Sequence, residues 1–426
     1  MKKTIIDQLL EWTQQRIEEK TAMRERFSKL LLLYQNQLNF RIIKIAGTNG
    51  KGSTSAMLSA CLTSDNQTVG LFTSPHLVHV SERFRVNDQM IDTKELETIA
   101  KEVQVTLKAF VAKEGSAFIP SFFEVLILIA ICFFYKKKVK IAIFEAGIGG
   151  KNDAVSLLPD VLSAITSIGL DHEKQLGGTL KSVATDKAGI ALNHSTLWVQ
   201  STIPNALHPI IQENVNEGVS VFFTKEKVKP HAANSTDFFI KINEQQQLVT
   251  PQLQGSFQLE NLNLAANIFD FLYQKKLIHN LKSIKGIEQT QWQARFERIG
   301  QSPEFLVDAA HNEHALQALV IALNRINAAE NRVLVIGISS EKDRKKMAYW
   351  LPKLAQTIYL VDDFYKATSA KQLLQAFSSV EVSNTNGYEM QSVLAEVKAT
   401  YSKELIVVTG SIFMIGKARE LIVQEI

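Results

Sequence analysis

Apolar and polar positions along this chain follow two periods, and the switching between them predicts an α/β fold. Arg41–Ala46 (RIIKIA) is a short, nearly continuous apolar run, the pattern of a strand buried on both faces of a parallel sheet. It leads into a glycine-rich loop and a helix from about Ser53 to Ser64. Thr68–Thr73, Lys140–Glu145 and Val161–Ile168 read as further strands, and Thr93–Lys113, Phe122–Tyr135 and Glu260–Lys275 as helices. Val125–Tyr135 is unbroken apolar sequence followed by Lys136, Lys137 and Lys138. A membrane span needs about 20 apolar residues, and Glu124 stops this run from extending backwards. The segment therefore predicts a buried helix whose lysines complement the negative end of its dipole.

The pattern restarts after about residue 295, with strands at Phe305–Asp308, Arg332–Ile338, Thr357–Val361 and Glu404–Thr409 and an amphipathic helix at His314–Ile326. Periodicity weakens over Lys285–Arg295, where a linker is expected. The predicted organisation is an α/β P-loop NTPase-like parallel-sheet domain over 1–290, followed by a smaller Rossmann-like α/β domain over 291–426.

A chain of 426 residues has ample length for two such cores. Its net charge of +4 is too mild to argue for nucleic acid, though it suits an anionic substrate. The two cysteines, Cys61 and Cys132, lie far apart in apolar runs. They can build neither a zinc site nor a disulfide framework, so a cytoplasmic setting is expected. Met1–Lys20 carries charges throughout and has no apolar core of a secretory signal. No heptad seam is visible, and a monomer is the default.

The chemistry begins at Ala46–Thr54 (AGTNGKGST). Gly47, Gly50 and Gly52 let the backbone turn its N–H groups, including those of Thr48 and Asn49, toward phosphate oxygens. Lys51 can reach the β- and γ-phosphates, and the helix that follows points its positive end at the same place. The spacing departs from the general G-x-x-x-x-G-K-[ST] pattern. Ile45 stands at the first glycine and Gly52 at the hydroxyl, so Ser53 or Thr54 has to supply the oxygen for Mg²⁺. Independently, Glu145 ends a buried strand, where a carboxylate faces the crevice at the carboxyl edge of a sheet.

GTNGKGS resembles the phosphate loop of the Mur-type ligase superfamily, and in particular of folylpolyglutamate and dihydrofolate synthases. Further blocks follow in that family's order over nearly the whole chain: TSPH at Thr73–His76, SERFR at Ser81–Arg85, EAGIGG at Glu145–Gly150 with Asp153, and DHEKQLG at Asp171–Gly177. KAGI at Lys187–Ile190, GSFQLEN at Gly255–Asn261, DAAHN at Asp308–Asn312, Lys342–Asp343 and TGS at Thr409–Ser411 complete the set. The resemblance implies an ATP-dependent ligase that adds L-glutamate to a folate, or to dihydropteroate, through an acyl phosphate. It implies a first Mg²⁺ on Ser53, Ser74 and Glu145, and a second on His172 and Lys187, the latter as a carbamylated N6-carboxylysine. Ser74, Pro75, Glu82 and Arg83 are then expected at the substrate, Gln258 and Asn261 at the adenine end, Asp308 at the ribose, and Arg295 and His311 near the phosphates. Lys51, His172, Lys187 and Arg295 would carry catalysis.

Several positions depart from the family's usual residues. WQAR stands for W-P-G-R before Arg295, and DAAHNE for D-G-A-H-N-P, with Ala309 and Glu313 at the changed positions. Asp186 replaces glutamate beside Lys187, and His79, Val80 and Ser81 alter the loop bordering the substrate. These changes motivate a rival reading, a diverged paralogue that binds nucleotide or folate without ligating them.

Overall fold

The computed structural model describes residues 3–15, 22–232, 235–377 and 382–424. The chain divides into two compact units. The first comprises 1–168, 172–250 and 260–290, and the second 169–171, 251–259 and 291–426.

The first unit is built on an eight-stranded sheet. Its strands are β1 (Arg41–Ala46), β2 (Val69–Phe72), β3 (Phe84–Val86), β4 (Gln89–Met90), β5 (Ile141–Glu145), β6 (Leu162–Ile165), β7 (Thr196–Val199) and β8 (Ser220–Phe223). The spatial order is β4-β3-β2-β5-β1-β6-β7-β8, with the β4–β3 and β3–β2 pairs antiparallel and all the others parallel. β1 lies between β5 and β6, with Ile45 opposite Glu145 on one side and Ala46 opposite Ile165 on the other. The carboxyl ends of these three strands therefore stand side by side, where the chain leaves for its loops. A separate antiparallel sheet is formed by β9 (Val228–Pro230), β10 (Phe238–Ile242) and β11 (Gln245–Val249).

The apolar run read as a buried helix is one. Phe122–Lys136 buries every residue from Glu124 to Phe134. Ser121 opens it with a reciprocal cap to Glu124, and Arg26 meets the same carboxylate through two hydrogen bonds of 2.7 and 3.0 Å. No helix among the described residues is long and apolar enough to cross a membrane. Both cysteines are buried thiols.

The expected linker is only partly a linker. Leu281–Gln289 forms a 3₁₀ helix packed on the phosphate-loop helix Lys51–Ser64. Gly286 is what permits this, since a Cβ there would stand 2.3 Å from the Ala60 carbonyl oxygen. Asp65 ties the segment down by accepting the backbone N–H groups of His279 and Asn280.

The second unit carries a five-stranded sheet: β12 (Glu297–Ile299), β13 (Glu304–Val307), β14 (Arg332–Ile336), β15 (Thr357–Leu360) and β16 (Leu405–Thr409), in the order β12-β13-β16-β14-β15. Only β12 is antiparallel. Leu306, Leu334, Ile336 and Val407 on one sheet face pack with Leu316, Leu319 and Leu323 from the helix Glu313–Leu323.

Candidate active site

In the first unit the phosphate loop is braced from the end of β6. Thr48 N donates to the Ser167 carbonyl, and Asn49 N donates to Ser167 Oγ. Thr166 Oγ1 and Ser167 Oγ both donate to the Asn49 carbonyl, at 2.6 and 3.0 Å. Two glycines make room for this fit. A Cβ on Gly47 would meet Thr166 Oγ1 at 1.8 Å, and one on Gly50, whose φ is +85°, would meet Asn261 Oδ1 at 2.2 Å. Asn261 thus lies against the phosphate loop, 3.5 Å from Thr54 Oγ1. Lys51 Nζ donates to the carbonyls of Gly47 and Thr48, and Ser53 is buried in the first turn of the helix.

Glu145 is buried at the end of β5 and accepts from Ser74 N at 3.1 Å, next to the cis Ser74–Pro75 bond. Beyond it, Glu82 organises the turn that follows: its carboxylate accepts from Leu77, Val78 and His79 N at 2.7–2.9 Å. Arg83 Nε donates to His76 Nδ1 at 2.9 Å. Burial, followed by the Arg83 charge, pushes His76 down to about 4, which keeps the imidazole neutral and able to accept that bond. Burial also lowers Arg83 to about 10 against the pull of Glu145 and Glu82.

The glycine block is folded around two aspartates. Asp153 accepts from Ile148 and Val155 N, at 2.9 and 2.8 Å. Burial raises it to about 6 even so. Asp186 accepts from Gly150 N at 2.7 Å and from Asn152 Nδ2 at 2.8 Å, and its carbonyl accepts from Lys151 N. This seats the block on the helix Leu180–Ala188 so closely that a Cβ on Gly150 would stand 2.7 Å from Lys187 Cα. Lys187 itself is buried, with 2% of its surface exposed. His172 has a left-handed φ of +50° and starts the short helix Glu173–Leu176.

No group of three or more His, Cys, Asp or Glu side chains that could hold a metal gathers among the described residues. The donors on hand are one buried carboxylate and hydroxyls. That set does not make a protein-only cage, but it fits Mg²⁺, which keeps much of its shell for water and substrate phosphate.

The second unit has its own polar cluster at the carboxyl edge of its sheet. Asp308, just after β13, accepts from Phe296 N and Ala310 N, each at 2.9 Å. Burial raises it to about 6, with the Arg295 charge opposing. Arg295 sits between Ala294 and Phe296, both left-handed at φ +55°, and its Nη1 bonds the Ala294 carbonyl. Asp171 belongs to this unit. Its carboxylate pairs with Lys342 Nζ, accepts from Asn312 Nδ2 at 3.0 Å, and stands 3.4 Å from His311 Nε2. His311 Nδ1 contacts the Ala309 carbonyl at 2.8 Å, and burial lowers its pKa. Ser339 and Ser411 share a hydrogen bond of 2.9 Å. Gln258 is buried, in the second unit, whereas Asn261 belongs to the first.

The sequence reading assigned no site role to Asp153, Asp171, Asp186 or Lys342. Asp153, Asp171 and Lys342 belong to the blocks that follow the family's order and Asp186 directly precedes KAGI, so the signal is present in the sequence. The neighbours that give Asp171, Asp186 and Lys342 work come from distant parts of the chain, whereas Asp153 serves amides of its own loop.

Comparison with known proteins follows the same division. Residues 294–412 match the family described as Mur ligase, glutamate ligase domain. The dihydrofolate synthase/folylpolyglutamate synthase of Bacillus subtilis is 29% identical over 89% of this chain and 90% of its own length. The folylpolyglutamate synthase of Lacticaseibacillus casei is 27% identical over 94% of each. Among solved structures, E. coli FolC in complex with DHPP and ADP superposes with a TM-score of 0.81, at 21% identity over all of both chains. A bifunctional folylpolyglutamate synthase/dihydrofolate synthase with Mn, AMPPNP and L-glutamate bound gives 0.78, at 23% identity over 98% of each. At these identities the structural likeness establishes the fold.

Proposed function

We propose that this chain, a member of the folylpolyglutamate synthase/dihydrofolate synthase family of Mur-type ligases, is an ATP-dependent ligase that adds L-glutamate to the carboxylate of a folate. The observation that carries this is the braced phosphate loop with Lys51 at its end, beside buried Glu145 on the neighbouring parallel strand.

The chemistry has two steps. A folate carboxylate oxygen attacks the γ-phosphorus of ATP, and ADP leaves. The amine of glutamate then attacks the acyl carbon and loses a proton, and inorganic phosphate leaves as the amide forms. Both steps gather anions, so cationic side chains and N–H donors dominate catalysis. In the first unit, Thr48 N and Asn49 N are committed to Ser167 rather than to phosphate, so the first N–H groups of the helix Lys51–Ser64 would cradle the phosphates while Lys51 follows the transferred phosphoryl group. Ser53 or Thr54, Ser74 and Glu145 would hold Mg²⁺, which screens phosphate charge when bound. Asp153, Asp186 and Glu82 keep their loops in shape, leaving Arg83 and Ser74–Pro75 as substrate contacts. Within the second unit, Arg295 and His311 are assigned to phosphate, Asp308 to ribose and Gln258 to the nucleotide.

Lys187 is taken as an N6-carboxylysine that, with His172, serves a second Mg²⁺. A buried ammonium is costly, and reaction with CO₂ replaces it with an anion suited to metal. Lys187→Ala should lose turnover and regain part of it with added short carboxylates.

The deciding experiment is ADP release with ATP, Mg²⁺ and L-glutamate, comparing dihydropteroate with tetrahydrofolate. Turnover with tetrahydrofolate alone identifies a polyglutamate synthase, with dihydropteroate alone a dihydrofolate synthase, and with both a bifunctional enzyme. No turnover in protein that binds ATP overturns the ligase reading and leaves the diverged paralogue.

A further inference from the structure

The opposite edge of the first unit's sheet carries a second basic feature that the ligase chemistry does not use. Asn39, Tyr135, Lys136, Lys138, Val139 and Lys140 line a cleft of about 470 Å³. It lies where β1 and β5 begin, with Lys140 accepting the backbone N–H of Arg41 through its carbonyl at 3.0 Å. The phosphate loop leaves the other end of β1, five residue steps away, or roughly 17 Å at about 3.3 Å per residue.

The lining holds three lysines and no carboxylate. Lys136 is paired with Glu102 at 2.8 Å, and the neighbouring Lys137 with Glu95 at 3.0 Å. Lys138 and Lys140 have no ion pair among the described residues, and both are exposed. Their charges are not needed to satisfy the end of the helix Phe122–Lys136. The carbonyls of Phe133, Phe134 and Tyr135 already accept the backbone N–H groups of Lys137, Val139 and Lys138, each at 3.0 Å. Two uncommitted ammonium groups therefore share a concave site with the Asn39 amide and the Tyr135 ring, which is 44% exposed. The volume falls within the range of small-molecule pockets. A flat protein-docking face would not show this concavity.

We propose that this cleft binds a small phosphorylated anion, separate from the nucleotide of the ligase reaction, with Lys138 and Lys140 on the phosphates and Tyr135 available to a flat ring. The test is calorimetric titration of the full chain, held in saturating ADP and Mg²⁺ at about 0.15 M ionic strength, with inorganic pyrophosphate. One further equivalent is expected to bind. The variant Lys138→Gly/Lys140→Ala should bind it at least tenfold more weakly while melting no lower than the parent, because Lys138 has φ +54° and glycine relieves that conformation. A second arm uses AMP and Tyr135→Ala. Weakened AMP binding with unchanged pyrophosphate binding assigns a nucleotide, and no change in either assigns an inorganic phosphate. Absence of the extra equivalent in the parent, or equal pyrophosphate affinity in parent and double variant, overturns the proposal.

Discussion

Gly150→Ala probes the seating of the glycine block on the Lys187 helix with one added methyl group. The new Cβ would stand 2.7 Å from the Asp186 carbonyl oxygen, 2.7 Å from Lys187 Cα and 2.8 Å from the Lys187 carbonyl oxygen. All three are backbone atoms, so no side chain can swing aside. Reaching an ordinary contact of 3.4 Å from 2.7 Å requires a retreat of 0.7 Å (3.4 − 2.7). That retreat stretches the 2.7 Å bond from Gly150 N to Asp186 and moves either Lys187 or the loop that begins at Glu145. Overpacking of this kind costs about 1–3 kcal/mol of stability. Misplacement of catalytic groups by about 1 Å costs on the order of 100-fold in rate, so kcat for ADP release should fall roughly 10- to 100-fold. Gly115→Ala is the control. It sits at φ +100° with open space around its Cβ, and it should lower the melting temperature without lowering kcat. A Gly150→Ala enzyme with kcat within a factor of two of the parent would refute the reasoning. So would equal loss of activity in both variants.

Lys51→Ala should reduce turnover by roughly 10³-fold with little change in melting temperature, and near-parental ADP release would sink the phosphate-loop assignment. Glu124→Gln leaves the Arg26 guanidinium buried without its counter-charge. It should lower stability by about 3–5 kcal/mol in urea titration, and a loss under about 1 kcal/mol would show the pair to be relaxed by solvent or repacking. For Asp308, raised from 3.8 to about 6 by burial, the folded state holds its proton more tightly than the unfolded chain. Its contribution to stability is full below about pH 4 and is lost as pH rises through about 6. In its proposed role the ionised carboxylate accepts from ribose hydroxyls, so KM for ATP should rise as pH falls below about 6. A flat KM profile across that window would remove Asp308 from the nucleotide site.

Contiguous signals were the legible ones. The strand–loop–helix at Arg41–Ser64 states its geometry in one contiguous stretch, and the buried helix at Phe122–Lys136 is announced by its apolar run. The short strands at Phe84–Met90, Thr196–Val199 and Ser220–Phe223 were missed because runs of two to four residues carry too few positions to show a period. The three-stranded sheet over Val228–Val249 was missed as well, since its exposed residues interrupt the apolar pattern. The weak-period linker expected over Lys285–Arg295 overlaps the 3₁₀ helix Leu281–Gln289, because a 3₁₀ helix matches neither the α nor the β template. In the candidate site, the sequence pointed to the charged groups but not to what holds them. That Glu82 serves three amides of its own turn, or that Asp171 joins Lys342, depends on chain folding over 3–5 residues in one case and 171 in the other.

The left-handed pair that flanks Arg295 also bears on how this chain can change over generations. Ala294 and Phe296 both occupy a conformation that costs a non-glycine residue about 1–2 kcal/mol. Alanine and glycine codons differ at a single base, so a relaxed arm at position 294 is one mutation away. Selection for thermal endurance alone would find that change quickly. The same step would give the guanidinium's backbone more conformations in which to point elsewhere. Alanine at position 294 thus keeps a stiffer arm at the expense of heat tolerance, a trade of robustness for aim.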